Sequence, residues 1–290
     1  MTRSGYWGML LLVAAGAIVA GCGGPKRTAI PAPGTGSPGA PNARGDTIGL
    51  YIAERGAFFL TRTNGDIDNA DSFSFGKPGD NAIAVAGDWN GDGETTVGLY
   101  DPAIGRFTLS DESPAKKASA TFGFKVSDAG KLAPIAGDWD GDGKAGVGLY
   151  SRKLGQFLLR NSLTSGGAEM TVRYGWKNTE CIPIAGDWDG DGKAGVGLYD
   201  PKTAAFFLCS NLAKPDTTAR FGYGPINAGA LPVIGDWDGD GKAGIGVYVP
   251  KTGRFAVRNE LSSGRDDATG PLGGPVSGPV YPIAGRWRAD

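Results

Sequence analysis

Residues 134–150 read PIAGDWDGDGKAGVGLY, and residues 183–199 repeat them letter for letter. A third version, with small changes, starts at Pro232. An apolar run ends in a tryptophan, an Asp–Gly loop follows, and VGLY resumes the apolar run. Working outward, the tyrosine of this unit recurs at Tyr51, Tyr100, Tyr150, Tyr199 and Tyr248. The tryptophan recurs at Trp89, Trp139, Trp188, Trp237 and Trp287. The spacing is 49 or 50 residues throughout. Such a period marks a propeller, a solenoid or an array before anything else.

Each unit reads as four short strands. The first is apolar and ends in the tryptophan; the second is VGLY, after the Asp–Gly loop. A Pro/Gly turn such as DPAIG leads to a third (RFTL, QFLLR), and a polar stretch to a fourth (TFGF, RYGW, RFGY). Short β-rich runs between turn residues, with no helical period, favour an all-β fold over βαβ units. Four strands per unit is the arithmetic of a propeller blade.

The ends of the array favour a closed ring. The chain enters at Asp46–Tyr51 in a second strand and leaves at Tyr281–Trp287 in a first strand, so the two ends together make one blade. Sharing a blade ties the ring shut and removes open sheet edges. The prediction is an all-β, five-bladed β-propeller over residues 46–290. Its split falls inside an Asp–Gly loop, so five blades carry four complete loops. At the split, Arg286 and Arg288 take the first two acidic positions, and either is expected to pair with Asp46 across the seam.

The four loops place oxygen-bearing side chains at positions 1, 3 and 5. They are Asp88, Asn90 and Asp92; Asp138, Asp140 and Asp142; Asp187, Asp189 and Asp191; Asp236, Asp238 and Asp240. Hard cations such as calcium take several oxygens, and this spacing in a tight loop converges them on one point. Eleven of the 30 acidic residues sit here, where without a metal they repel one another. A second reading stays open: Asp side chains also stabilise tight turns by capping backbone N–H groups.

These units resemble the FG-GAP/VCBS type of β-propeller repeat found in integrin α-subunit propellers and bacterial surface proteins. The D-x-[DN]-x-D-G loops and the Phe-Gly pairs at Phe75, Phe122 and Phe221 carry the resemblance. It implies calcium in the loop between first and second strands, and ligands on the face opposite those loops. That face would include Asp101 to Arg106, Lys177 to Glu180 and Pro225 to Ala228. The family's usual ninth-position Asp is replaced by Thr96, Gly146, Gly195 and Gly244. The expectation is therefore weak, structural calcium, with a Kd of about 10⁻⁴–10⁻³ M.

The N-terminus reads differently. Residues 1–21 have a basic start and an apolar run shorter than the roughly 20 apolar residues of a spanning helix. Val19-Ala20-Gly21-Cys22 resembles a bacterial lipobox, which implies a signal peptide over 1–21 and lipidation of Cys22. Residues 22–45, rich in Gly and Pro, read as the lipidated cysteine and a flexible tether spanning about 25–30 Å. The expected location is outside the cytoplasm, on a cell or outer membrane.

Composition narrows the function. Histidine is absent, which removes the commonest general base and histidine metal ligands. A net charge of −1 gives no electrostatic footprint for nucleic acid. The acids outside the loops (Glu112, Glu169, Glu180, Glu260) are scattered, so no glycosidase-like pair stands out. The repeated aromatics read as core between blades. Cys181 and Cys209 fall at opposite ends of strands separated by a third, too far apart for a bridge, so both are expected as free thiols. The resulting expectation is a non-enzymatic, lipid-anchored binding or scaffolding module whose partner is a protein or glycan at the cell surface. A lectin-like carbohydrate binder is the alternative, and a hydrolase a remote third.

Overall fold

The structure is a computed structural model that describes residues 44–64 and 70–287. The expected signal peptide, Cys22, the tether to residue 43 and Arg288 lie outside the described residues.

The described chain forms twenty strands in five four-stranded antiparallel sheets. Strands β1 (Thr47–Ile52), β2 (Ala57–Leu60) and β3 (Asp71–Ser74) open the chain. The first complete blade is β4 (Ile83–Gly87), β5 (Thr96–Asp101), β6 (Arg106–Leu109) and β7 (Ala120–Gly123). The second is β8 (Leu132–Gly137), β9 (Gly146–Ser151), β10 (Gln156–Arg160) and β11 (Met170–Arg173). The third is β12 (Ile182–Gly186), β13 (Gly195–Asp200), β14 (Ala205–Cys209) and β15 (Ala219–Gly222). The fourth is β16 (Leu231–Gly235), β17 (Gly244–Val249), β18 (Arg254–Arg258) and β19 (Ala268–Pro271). The last strand, β20 (Val280–Gly285), pairs with β1 along six positions, from Thr47 opposite Gly285 to Ile52 opposite Val280. The sheet order β20-β1-β2-β3 is the composite blade that the split repeat predicts.

Burial follows position within a blade. The second strand is covered on both faces by the neighbouring blades, so Gly146–Ser151 is buried at every residue and reads as an unbroken apolar run. The third strand alternates, as in Gln156–Arg160, and the outer strand is largely exposed. The hydrophobic core is accordingly divided into five clusters, each spanning two adjacent blades. At its heart the repeated tyrosine of the second strand faces a phenylalanine of the third. Tyr51–Phe58, Tyr100–Phe107, Tyr150–Phe157 and Tyr199–Phe206 have ring centroids 4.4 to 4.7 Å apart. Four of the five repeated tryptophans are buried too, and Trp237 is partly buried against the same core, which bears out the reading of both aromatics as core.

Glycine inside the second strand serves this packing. A Cβ on Gly98 would meet Leu109 at 2.4 Å and Val85 at 3.0 Å. The glycine makes room for side chains of the strands on either side, rather than for a close backbone approach. Cys181 and Cys209 are buried and unbridged, in one core cluster.

Blade is joined to blade by backbone. The carbonyl of loop position 1 accepts the N–H of position 8 in the next blade. The pairs are Ala145 N to Asp88 O, Ala194 N to Asp138 O, Ala243 N to Asp187 O, Asp46 N to Asp236 O and Thr95 N to Arg286 O, all at 2.6 to 2.8 Å. These five bonds run once round the ring. Position 8 is alanine at three junctions. At the two junctions flanking the composite blade it is Asp46 and Thr95, and their side chains return a second bond. Asp236 N donates to Asp46 Oδ2 at 2.9 Å, and Arg286 N donates to Thr95 Oγ1 at 3.1 Å. The composite blade is thus clasped twice on each side.

The expected Asp46–Arg286 ion pair does not form. The Arg286 guanidinium instead donates through Nε to the carbonyl of Arg44 at 3.0 Å, while Asp46 spends its carboxylate on the Asp236 backbone. The fold therefore takes in Arg44 and Gly45, two residues assigned above to the tether. A Cβ on Gly45 would lie 2.2 Å from Trp237 O, so only glycine passes there.

Burial pushes the Asp46 carboxyl up to about 6; the Asp236 N–H opposes this, the Asp236 carboxylate adds to it and Arg286 opposes it. An unfolded aspartate titrates near 3.9. Below that value both states hold the proton and the contribution is whole. Between there and about 6 the unfolded chain has released a proton that the folded chain keeps, so stability falls as pH rises. Asp46→Asn keeps the acceptor for Asp236 N–H and removes the titration. In metal-free buffer the variant is expected to be more stable than wild type at pH 7, by about 1–2 kcal/mol after allowance for partial exposure. The difference shrinks to nothing by pH 4, as measured by urea unfolding.

Candidate functional site

The Asp–Gly loops sit together at one end of the propeller axis, where the first strand of each blade turns into the second. The position-1 side chain organises each turn. In the second blade Asp138 Oδ1 accepts from Gly141 N and Asp142 N, and Oδ2 from Gly143 N, at 2.7 to 3.2 Å. The same three bonds recur from Asp88, Asp187 and Asp236. The position-5 carboxylate caps position 7, as Asp191 does for Lys193 N at 2.9 Å. Gly143 and Gly192, at φ 85°, supply the left-handed turn that only glycine adopts without strain. In three of the four loops the tryptophan ties the loop to its own second strand through Nε1, as Trp188 does to Val196 O at 3.2 Å. So the loops are capped turns, as one of the two sequence readings requires.

The other reading is geometrically compatible. Carboxylate oxygens of Asp138, Asp140 and Asp142 lie within 4.8 Å of one another, as do those of Asp187, Asp189 and Asp191 and those of Asp236, Asp238 and Asp240. Oxygens bound to one calcium at about 2.3–2.6 Å can be no farther apart than about 5 Å, so these three sets fit the ion. The Asp236 carboxyl is held above the usual range by burial first, against the N–H bonds from Gly241 and Gly239, with Asp240 and Asp238 adding repulsion. In the first loop Asn90 turns its amide Nδ2 to Asp92 Oδ2 at 3.0 Å, an internal bond in place of a third carboxylate.

Two further features bear on how a cation fits. In three of the four loops the ninth position has no room for a side chain, and in the first Thr96 fills it, donating through Oγ1 to Gly87 O at 3.3 Å. A Cβ on Gly195 would lie 2.4 Å from Cys209 O and 2.6 Å from Trp188, and Gly146 and Gly244 are as tightly enclosed. Lysine supplies opposing charge: the stem of Lys193 lies over the preceding loop, its Cγ 3.0 Å from a Cβ built on Gly141. Sequence reasoning missed Asn161, whose Nδ2 donates to Asp140 Oδ2 at 2.7 Å from the turn after β10. Nothing in a single repeat marks that contact.

The opposite end of the axis holds a cavity of about 460 Å³. Its floor is the start of the five inner strands, with Pro134, Pro183, Pro232, Pro282 and Ala84 at corresponding positions. Of the segments expected on the ligand face, only Pro102 reaches its wall. Lys131 and Arg152 also line it. Arg152 has a visible signal once the repeats are aligned: the residue after the second strand is proline at 102, 201 and 250. Trp176, outside the repeated set, is 51 % exposed, and its ring meets Phe207 edge-on at 4.7 Å.

No family model matches the chain, and no curated protein matches it. The FG-GAP/VCBS resemblance therefore rests on the motif residues alone. Solved structures similar in fold include a streptogramin B lyase, 10 % identical with a TM-score of 0.41 over 77 % of this chain and 74 % of that one. Hsv2 of Kluyvelomyces marxianus is 11 % identical, with a TM-score of 0.37 over 77 % and 70 %. The V. cholerae biofilm matrix protein Bap1 is 16 % identical, with a TM-score of 0.31 over 79 % and 39 %. Likeness at this level carries no argument about chemistry.

The loop geometry separates capping from metal binding at two neighbouring residues. In EDTA, Asp187→Ala removes three caps and is expected to cost about 1–2 kcal/mol. Asp189→Ala, at a side chain that caps nothing, is expected to stay within about 0.5 kcal/mol of wild type. Urea unfolding of the two variants checks the contrast.

Proposed function

We propose that this protein is an exported, lipid-anchored β-propeller that acts as a binding or scaffolding module at the cell surface, with calcium as a weak structural guest of its Asp–Gly loops. The observation that supports it best is the division of the axis between two ends. Three sets of converging carboxylates gather at one end, and an open, largely apolar cavity lies at the other. Calcium, when bound, supplies charge neutralisation and stiffens the turns. The residues that hold it are Asp138, Asp140 and Asp142 and their counterparts in the next two blades, with Asp88, Asn90 and Asp92 the weakest set. The end opposite these loops is the binding face. Trp176, half-exposed and set edge-on to Phe207, with the Arg220 guanidinium 5.2 Å from that ring, favours a glycan as the second reading.

Two measurements test the proposal. Calorimetric titration with calcium, paired with thermal melting, is expected to show millimolar binding, each site adding about 1.4 kcal/mol at ten times its Kd. No heat and no shift at 10 mM, roughly the top of the useful range for such sites, would remove calcium from the account. Labelled palmitate is expected on Cys22 and absent from Cys22→Ser; an unlabelled wild-type chain would remove the anchor.

A further inference from the structure

The cavity opposite the loops has a chemistry of its own. Four of its five inner strands carry proline at their second or third residue, so those positions offer no N–H. Proline is tolerated there because the inner strand presents an unpaired edge to the axis. The result is an apolar floor without backbone donors at those positions. A volume of about 460 Å³ lies within the range of small-molecule sites.

Charge enters from one side only. Lys131 and Arg152 are the charged residues on the wall, and no acidic side chain lines it. Asp128 and Glu180 stand in the adjoining connections but not on the wall. Lys131 ends a short 3₁₀ turn, is exposed, and has no ion pair among the described residues. Arg152 is half-buried and held at two points. Its Nε donates to Cys181 O at 3.1 Å, and its own carbonyl accepts Asn178 N at 2.7 Å. The terminal amino groups of the guanidinium make no further hydrogen bond among the described residues. A fixed guanidinium with free donors suits a carboxylate or a similar oxyanion.

We infer that this cavity binds a small organic monoanion, with its apolar body on the proline floor and its charged group between Lys131 and Arg152. The inference rests on the reading that this end is the binding face, and names the class of ligand that face takes.

A matched pair of probes tests it, 1-naphthaleneacetate and the uncharged 1-naphthaleneacetamide, by calorimetry on the full chain. The acid is expected to bind at one site about tenfold tighter than the amide, which is about 1.4 kcal/mol. Lys131→Glu is expected to abolish that preference. Arg152→Gln is expected to do the same, with a melt to confirm folding; the exposed Lys131 keeps the test decisive if Arg152→Gln unfolds. Ala84→Leu, which fills the gap in the proline ring, is expected to weaken both probes. Equal binding of acid and amide, or a Lys131→Glu variant that keeps the preference, overturns the anion site and leaves the face a binding surface. If neither probe binds, the cavity inference falls, and the binding-face reading stands apart from it because a protein or glycan partner needs no small-molecule site.

Discussion

A propeller has to be closed, and here closure runs through the first residue of each Asp–Gly loop. Its carbonyl receives the next blade's N–H at four junctions, and at the fifth the carbonyl of Arg286, at the same place in the split repeat, does so. That carbonyl must be held at a fixed height and angle, and a flexible loop would not hold it. The aspartate side chain does so by capping three N–H groups of its own turn. The tryptophan beside it packs into the core, buried in three of the four loops and partly buried at Trp237. The repeated stretch is therefore a joint first.

The joint also sets limits on a metal. Capping brings the position-1 and position-5 carboxylates close together, and position 3 completes a set of oxygens. The same compactness brings the second strand in directly after position 8. Position 9 then lies against the end of the third strand and the tryptophan, where any side chain beyond glycine collides in three of the four loops. A ninth-position ligand and this packing compete for the same space, and packing wins. The proposed weak calcium site thus has three side chains to offer and a lysine stem nearby, a limit that comes from the packing itself.

Much of this was legible in the sequence. Period, strand order, blade number and the split blade all follow from where Tyr51 to Tyr248 and Trp89 to Trp287 fall, because each repeat must solve the same packing problem. The core role of those aromatics follows too. What did not follow is the clasp at the seam. Asp46 and Asp236 are 190 residues apart, and Thr95 and Arg286 are 191 apart, so only the closed ring reveals their meeting. The sequence invited an opposite-charge pair at Asp46, yet its carboxylate accepts the Asp236 N–H and Arg286 Nε donates to Arg44 O. The cavity was equally hidden: it is made of two or three residues from each of five strands, and its cationic side shows only as a break in the repeat at Arg152.

The two ends of the axis thus carry different burdens, closure at one and an open apolar cavity at the other. The claim on which this account turns is that the Asp–Gly loops hold the ring together without a metal. Native-state hydrogen exchange in EDTA tests it at five amides: Asp46, Thr95, Ala145, Ala194 and Ala243. The account predicts that all five exchange only through global unfolding, with one common free energy that calcium raises but does not create. Fast exchange of these amides in EDTA, with protection appearing only on addition of calcium, would contradict it.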